Sequence, residues 1–222
     1  MKITTAIMAS LFLIFASQSH AGEFPAQGRL FLGSSKANVS QVNTSLEADG
    51  MSTFATVGQY GVEITYPLKS YLNVGLRYHK TNQAVYENPE SNLTNFEAQL
   101  IQDQILLMAR APLYKQSGLL VDIFAGVGGT NTTYKVRTAT QSGELTKTAP
   151  NDWFASPAAA AGVSVGLGYN NIYGFIEAGY EYNKVSSFER SGTVDNNVQE
   201  IDFSGSYITI GIMFDGIKAT SN

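Results

Sequence analysis

The chain has 222 residues, no cysteine and a formal net charge of −4, and this length suits one all-β domain. The lack of cysteine excludes a disulfide scaffold, a thiolate metal site and a lipoprotein anchor, and a mildly acidic balance without a basic run speaks against nucleic acid as a partner. Mean hydropathy is −0.05. No stretch after the first 21 residues is long and apolar enough for a spanning helix, which excludes a multi-helix membrane protein.

Residues 1–21 predict an export signal that is cleaved. Lys2 precedes an apolar core from Ala6 to Ala16, and Ser19-His20-Ala21 matches a small-x-small cleavage site. This core is shorter than the ~20 residues of a spanning helix, so an uncleaved membrane anchor is the weaker alternative. We therefore expect an exported protein whose mature chain begins at Gly22.

Beyond the signal, apolar residues alternate with small or polar residues in eight segments. From Phe54 to Tyr66 the even positions include Tyr60, Val62 and Ile64, and the odd positions carry Gln, Gly, Glu and Thr. Successive side chains of a strand point to opposite faces, so each segment predicts a strand with one apolar and one polar face. The predicted strands are about Gly28–Ser34, Thr53–Tyr66, Tyr71–Lys80, Ala98–Ala111, Leu119–Asn131, Ala158–Tyr169, Ile172–Lys184 and Gly205–Phe214.

The connections between these strands alternate strictly in length. Those near Pro67–Ser70, Tyr114–Gly118 and Asn170-Asn171 are short, and a turn centred on Gln116 would place Arg110 opposite Asp122. Asn-Asn suits a two-residue type I′ turn because asparagine tolerates a positive φ. The long, polar connections are about 35–52, 81–97, 132–156 and 185–204. Short turns at one end and long loops at the other are typical of bacterial outer-membrane barrels.

The polar faces decide between a soluble and a membrane barrel. A soluble barrel such as a lipocalin has its apolar face inside, whereas the predicted sixth strand sets Gly and Ser against a stripe of Val, Leu and Tyr. We therefore predict an all-β fold, an eight-stranded antiparallel up-and-down transmembrane β-barrel over residues 22–214. The upper half of the predicted fourth strand is out of this phase, because Asp103 would face lipid, and we expect a bulge there or a strand that leaves the membrane early.

Charged side chains fall on the inner face of the predicted barrel. Isolated charges in a narrow lumen are costly, so we expect them to pair. Two interpretations remain open: a polar filling, since eight strands enclose little more than their own side chains, or a narrow gated pore, for which inward glycines such as Gly162 and Gly179 leave room for water. The predicted interior network is Arg29, Glu63, Arg77, Arg110, Asp122, Glu177 and Glu181.

Three stretches carry a family resemblance: residues 60–66, residues 72–78 and the closing run 207–214. The chain resembles the OmpA-type transmembrane domain and the OmpX/Ail-like surface proteins. The resemblance implies insertion by the barrel-assembly machinery and contact with outer-membrane lipid and lipopolysaccharide. The closing run looks like the family's assembly signal, with Tyr207, Gly211, Ile212 and Phe214. The family usually ends on the aromatic residue, whereas residues 215–222 follow here and are expected to form a short periplasmic tail.

Catalytic and metal-binding patterns are weak in this sequence. His79 is the only histidine after the signal, and no His-x-Ser pair of a lipid A deacylase is present. We expect His79 at the rim of the barrel. One histidine with scattered carboxylates speaks against a metal site, and the glycines do not form a nucleotide-binding pattern. The sequence therefore predicts a protein that is not an enzyme and has no cofactor.

The predicted loops contain aromatic residues that suit recognition. These candidate contacts are Phe96, Trp153, Phe154 and Phe188, and aromatic side chains anchor many interfaces. Trp153 and Phe154 precede the sixth predicted strand, so the interfacial aromatic girdle is an alternative place for them. We expect either a structural role in envelope integrity or a surface interaction, such as adhesion to a host or surface ligand. The alternative function is a narrow porin-like pore.

Overall fold

The computed structural model describes residues 26–48, 52–87, 96–138, 144–148, 156–186, 189–191 and 200–217. The elements within these ranges are β1 (Ala26–Ser35), α1 (Ser40–Ala48), β2 (Val57–Lys69), β3 (Leu72–Glu87), β4 (Phe96–Gln116), β5 (Leu119–Thr138), β6 (Glu144–Thr148), β7 (Pro157–Tyr169), β8 (Ile172–Val185), β9 (Glu189–Ser191), β10 (Ile201–Asp202) and β11 (Gly205–Ile217). Within this part of the chain, α1 is too short and too polar to cross a membrane, and it is the only helix.

Eight of these strands close into an antiparallel barrel. Each pairs with its neighbour in the order β1-β2-β3-β4-β5-β7-β8-β11, and β11 pairs with β1 to close the ring. The predicted fold class is therefore confirmed. The other three described strands lie beyond the ring, where β6 pairs with the end of β5, β9 with β6 and β10 with the end of β8.

The two faces of the barrel have opposite chemistry. Large apolar side chains point outward, and Leu32, Val127 and Leu167 are 61%, 62% and 68% exposed. The inner positions are buried and carry charged residues that include Arg29, Asp122 and Glu177. The predicted outward stripe of apolar side chains is thus confirmed, and the lumen contains both charged and apolar side chains.

The pairing of β4 corrects the expectation of a bulge at Asp103. Its pairing with β3 is continuous from Phe96 to Arg110, so no bulge lies at Asp103. Asp103 keeps its outward position, where its carboxylate accepts a hydrogen bond from the Tyr78 hydroxyl at 2.6 Å and lies 3.4 Å from Lys80 Nζ. Two polar neighbours satisfy the carboxylate at this point of the outer face.

Two of the three two-residue turns, those after β4 and β7, have positive φ angles. Asn170 and Asn171 have φ of 49° and 68°, and Tyr169 pairs with Ile172 as predicted. The turn between β4 and β5 lies at Ser117-Gly118, with φ of 51° and 81°, rather than at Gln116. Asp122 consequently stands opposite Pro112 and not Arg110, and a register shift follows between Pro112 and Tyr114.

Several strands run further than the sequence predicts. β3, β4 and β5 extend into the expected loops 81–97 and 132–156, so the backbone of Phe96 belongs to a strand and not to a loop. β2 begins only at Val57, and β11 continues to Ile217, into the expected tail. Trp153, Phe154 and Phe188 lie outside the described residues, as does the predicted signal.

Candidate functional site

An ion-pair network spans the lumen at mid-height. Three arginines and three carboxylates come from six strands, and Ser164 and Tyr207 come from the remaining two. Every one of the eight barrel strands therefore contributes one side chain to the same cluster. The members in strand order are Arg29, Glu63, Arg77, Arg110, Asp122, Ser164, Glu177 and Tyr207.

Arg110 lies at the centre of this network. Its guanidinium donates to Asp122 Oδ1 at 2.5 Å, to Glu177 Oε2 at 2.6 Å and to Glu63 through Nε and Nη2. All three carboxylates thus contact one arginine. Their side chains are at most 3% exposed and that of Arg110 is 0% exposed, so water does not screen these contacts.

The other two arginines complete the network. Arg77 donates to Glu63 Oε2 at 2.7 Å and bidentately to Glu177 at 2.7 and 2.9 Å. Arg29 donates to Asp122 Oδ2 at 2.7 Å and to Ser164 Oγ at 3.0 Å. Since charges of both signs are equal in number, the network is neutral, as a buried charged cluster requires.

Aromatic rings cover the arginines. The guanidinium carbon of Arg110 lies 4.6 Å from the centre of the Phe124 ring, that of Arg77 lies 4.9 Å from Phe31, and that of Arg29 lies 5.2 Å from Phe175. Such cation–π contacts gain strength where water is excluded. They add apolar bulk to the same cross-section of the lumen.

The inward glycines accommodate these rings. A Cβ atom at Gly162 would meet Phe124 Cζ at 2.7 Å, and one at Gly179 would meet the Tyr207 ring at 3.0 Å. These close approaches require glycine. The expectation that Gly162 and Gly179 leave room for water is therefore wrong, because aromatic rings occupy the space.

Apolar clusters lie in the lumen on either side of the network. Toward the short turns, Leu120, Tyr173 and Met213 pack with Phe31 and Phe175. Toward the opposite end, α1 lies across the mouth of the barrel, and its Val42 and Leu46 are 0% and 1% exposed. This spacing of four residues gives a helix one apolar face.

We call the apolar cluster at this mouth the lid. Asn43 fixes its helix to the returning chain, because its amide donates to the Phe54 carbonyl and accepts from the Phe54 N–H, both at 2.9 Å. The sequence places Phe54 on the outer face of the predicted second strand. In the structure Phe54 precedes β2 and is buried in the lid. The members of the lid are Val39, Val42, Leu46, Phe54, Ala98, Leu100, Tyr134, Ile201 and Phe203.

Glu181 is the one predicted interior charge that stands apart from the network. Its Oε1 accepts hydrogen bonds from Gln104 at 2.7 Å and from Asn183 at 3.2 Å, and its Oε2 lies 3.6 Å from His79 Nε2. His79 is 4% exposed and lies inside the lumen. The expected position of His79 at the rim is therefore wrong.

The predicted closing strand contributes to both faces of the barrel. Tyr207 points inward and donates its hydroxyl to Glu177 Oε1 at 3.1 Å, and Gly211 faces the Phe175 ring. Ile212 and Phe214 point outward and are 49% and 36% exposed. The role of this strand as an assembly signal stays a prediction.

The comparisons with known proteins agree with the geometry at the level of fold. Ail, the attachment invasion locus protein of Yersinia pestis, was solved in complex with the heparin analogue sucrose octasulfate; it aligns over 86% of this chain and 99% of its own, with 13% identity and a TM-score of 0.50. Neisserial surface protein A (15% identity, TM-score 0.43) and CarO of Acinetobacter baumannii (14%, 0.46) each cover 88% of this chain and at least 99% of their own. No protein-family model and no curated protein matches the chain.

Proposed function

Because the chain has the fold of the small eight-stranded outer-membrane β-barrels, we propose that it is a non-conducting, non-enzymatic outer-membrane protein. Its role would be structural or a surface interaction through the extracellular loops, in adhesion or envelope integrity. The observation that carries this proposal is the filled lumen, in which a neutral network tied to all eight strands lies between two apolar clusters. The resemblance supplies the accompanying partners, namely lipopolysaccharide and the barrel-assembly machinery.

The outward apolar stripe supports insertion into a membrane. Side chains such as Leu30, Ile176 and Ile210 are more than half exposed, and a soluble protein rarely leaves so continuous an apolar surface uncovered. In a membrane barrel this surface contacts lipid chains instead of water.

The chain beginning at Gly22 should stay dispersed only in detergent or lipid. The folded barrel should also migrate differently on a gel before and after boiling, since its closed hydrogen-bonded ring resists unfolding by detergent at room temperature. The measurements are gel mobility with and without heating and light scattering without detergent. A chain that remains monomeric in buffer alone would contradict membrane insertion.

The position of His79 supports a non-enzymatic role. A hydrolytic centre of this barrel class needs a histidine that can activate a nucleophile on the outer face, whereas His79 is buried in the lumen beside Glu181. The chain has no other histidine after the predicted signal. The arrangement therefore favours surface or structural work over catalysis.

A surface role should depend on the loop aromatics. Cells that produce the double variant Trp153→Ala/Phe154→Ala should adhere several-fold less to an epithelial monolayer than cells with the wild-type protein, because aromatic side chains anchor recognition surfaces. If the role is envelope integrity instead, the gene for this variant should restore the bile-salt resistance of a deletion strain less completely than the wild-type gene does. Tyr169→Ala is the matched control, since Tyr169 is an exposed aromatic at the turn end of the barrel. Equal phenotypes for the two variants, or wild-type behaviour of the deletion strain in both assays, would contradict the proposal.

The second candidate function is a narrow pore. It is favoured by polar atoms in the lumen that have no hydrogen-bond partner within the described residues, among them Arg29 Nε and Thr209 Oγ1. Such atoms need water or a ligand. A pore would additionally require the lid to move, because α1 covers the mouth.

A further inference from the structure

A second polar cluster lies in the lumen between the network and the lid. Along β4 the inward residues run from Arg110 in the network through Gln104 to Leu100 in the lid. Gln104 stands directly opposite His79 on β3, and its amide reaches Glu181 on β8. Side chains of three strands thus converge at this level.

The cluster contains a buried carboxyl group without a cation. Glu181 is 4% exposed, and among the described residues no lysine or arginine forms an ion pair with it. The three arginines of the lumen are engaged by Glu63, Asp122 and Glu177, with which they balance in charge. A carboxyl group buried without a cation becomes neutral or coordinates a metal ion, so a bound cation would let Glu181 stay charged.

The open atoms of the cluster suit metal coordination. His79 Nε2 and Gln104 Oε1 are buried without a hydrogen-bond partner, and Glu181 uses only Oε1 for its two hydrogen bonds. The 3.6 Å between His79 Nε2 and Glu181 Oε2 is too long for a hydrogen bond. Two ligands at ~2.1 Å from one tetrahedral ion lie about 3.4 Å apart.

We propose that His79, Glu181 and Gln104 form a binding site for one divalent transition-metal ion inside the barrel. His79 Nε2 and Glu181 Oε2 are its principal ligands, and Gln104 Oε1 is a third. Imidazole with carboxylate and amide oxygens suits Zn²⁺ and its neighbours rather than Mg²⁺ or Ca²⁺, which prefer oxygen ligands. Among the described residues, no three His, Cys, Asp or Glu side chains are grouped so that they could hold a metal ion; the proposed site combines one histidine, one carboxyl group and an amide.

The test is zinc binding by the chain refolded from Gly22, first stripped with a chelator and then refolded with or without Zn²⁺. Wild type should retain one Zn²⁺ per barrel after gel filtration, and His79→Gln and Glu181→Gln should each retain less than a tenth of it. Thr209→Val is the control, because Thr209 is equally buried in the lumen but belongs to no part of the site. Its zinc content should equal that of wild type.

A second readout, NMR of wild type with and without Zn²⁺, does not require any variant to fold. His79 is the only histidine after Gly22, so its ring nitrogens give one set of NMR signals, and Zn²⁺ should shift Nε2 while leaving a single species. Zinc absent from refolded wild type, zinc retained by both ligand variants, or an unchanged Nε2 signal would overturn the proposal. Zinc binding does not depend on whether the lumen conducts, so failure of this proposal and failure of the proposed function are distinguishable.

Discussion

Arg110→Gln should destabilise the refolded barrel by about 3–5 kcal/mol, because it leaves buried carboxylates without their common partner. Arg110 contacts Glu63, Asp122 and Glu177 at 0% exposure of its own side chain. The measurement is equilibrium unfolding in urea, with the barrel refolded into lipid vesicles. Asp122→Asn should also destabilise the barrel, and the double variant should cost less than the sum of the two, since each single change breaks the same contact.

The chain offers a matched control for this result. Lys115 Nζ lies 2.5 Å from Asp215 Oδ2, but the lysine side chain is 52% exposed, and exposed pairs contribute about 0–1 kcal/mol. Lys115→Gln should therefore change the unfolding free energy little. An Arg110→Gln effect as small as that of Lys115→Gln, or strict additivity with Asp122→Asn, would show that the network does not hold the strands together.

Val163→Arg should destabilise the barrel by about 2–4 kcal/mol or block its insertion, because the arginine would face the apolar middle of the membrane. Val163 lies outward between Ile123 and Ala178 and is 41% exposed. Its neighbour Ser164 points into the lumen and bonds Arg29. The measurements are urea unfolding in vesicles and the fraction of barrel that resists detergent without heating.

Two comparisons make the outcome specific. Val163→Leu keeps an apolar side chain toward lipid and should stay within about 0.5 kcal/mol of wild type. Ser164→Asn keeps a polar side chain in the lumen and should cost less than Val163→Arg. Equal stability of Val163→Arg and Val163→Leu would mean that this face does not contact lipid.

The faces of the strands could be predicted because a period of two is a local property of the sequence. Asp122 and Ile123 are adjacent, and their chemistry alone assigns one to the lumen and the other to lipid. The six network charges follow from the same alternation. The pair of Arg110 with Asp122 was expected as well, whereas the contacts of Arg77 and Arg110 with Glu177 join strands that are distant along the chain. Those contacts depend on the stagger of the closed barrel.

The lid and the positions of Tyr207 and His79 were missed for different reasons. Val42 and Leu46 carry the helical spacing of α1, but Ser, Asn and Gln surround them and resemble a loop. The contact of Tyr207 with Glu177 needs the register of β8 and β11. The inward phase of His79 was predictable from β3; its height below the lid was not, because that depends on how far β3 and β4 extend.

The most direct test of the closed lumen is conductance of the refolded barrel in planar bilayers. Wild type should insert without discrete current steps. The network variant Arg110→Gln/Asp122→Asn should not conduct either, because the lid still covers the lumen. The lid variant Val42→Asp/Leu46→Asp should not conduct, because the ion-pair network still fills the lumen. Inserted barrel is quantified by recovering the bilayer protein. Stable, ion-selective steps from wild type, rising in number with the amount inserted, would contradict a closed lumen and establish the narrow pore.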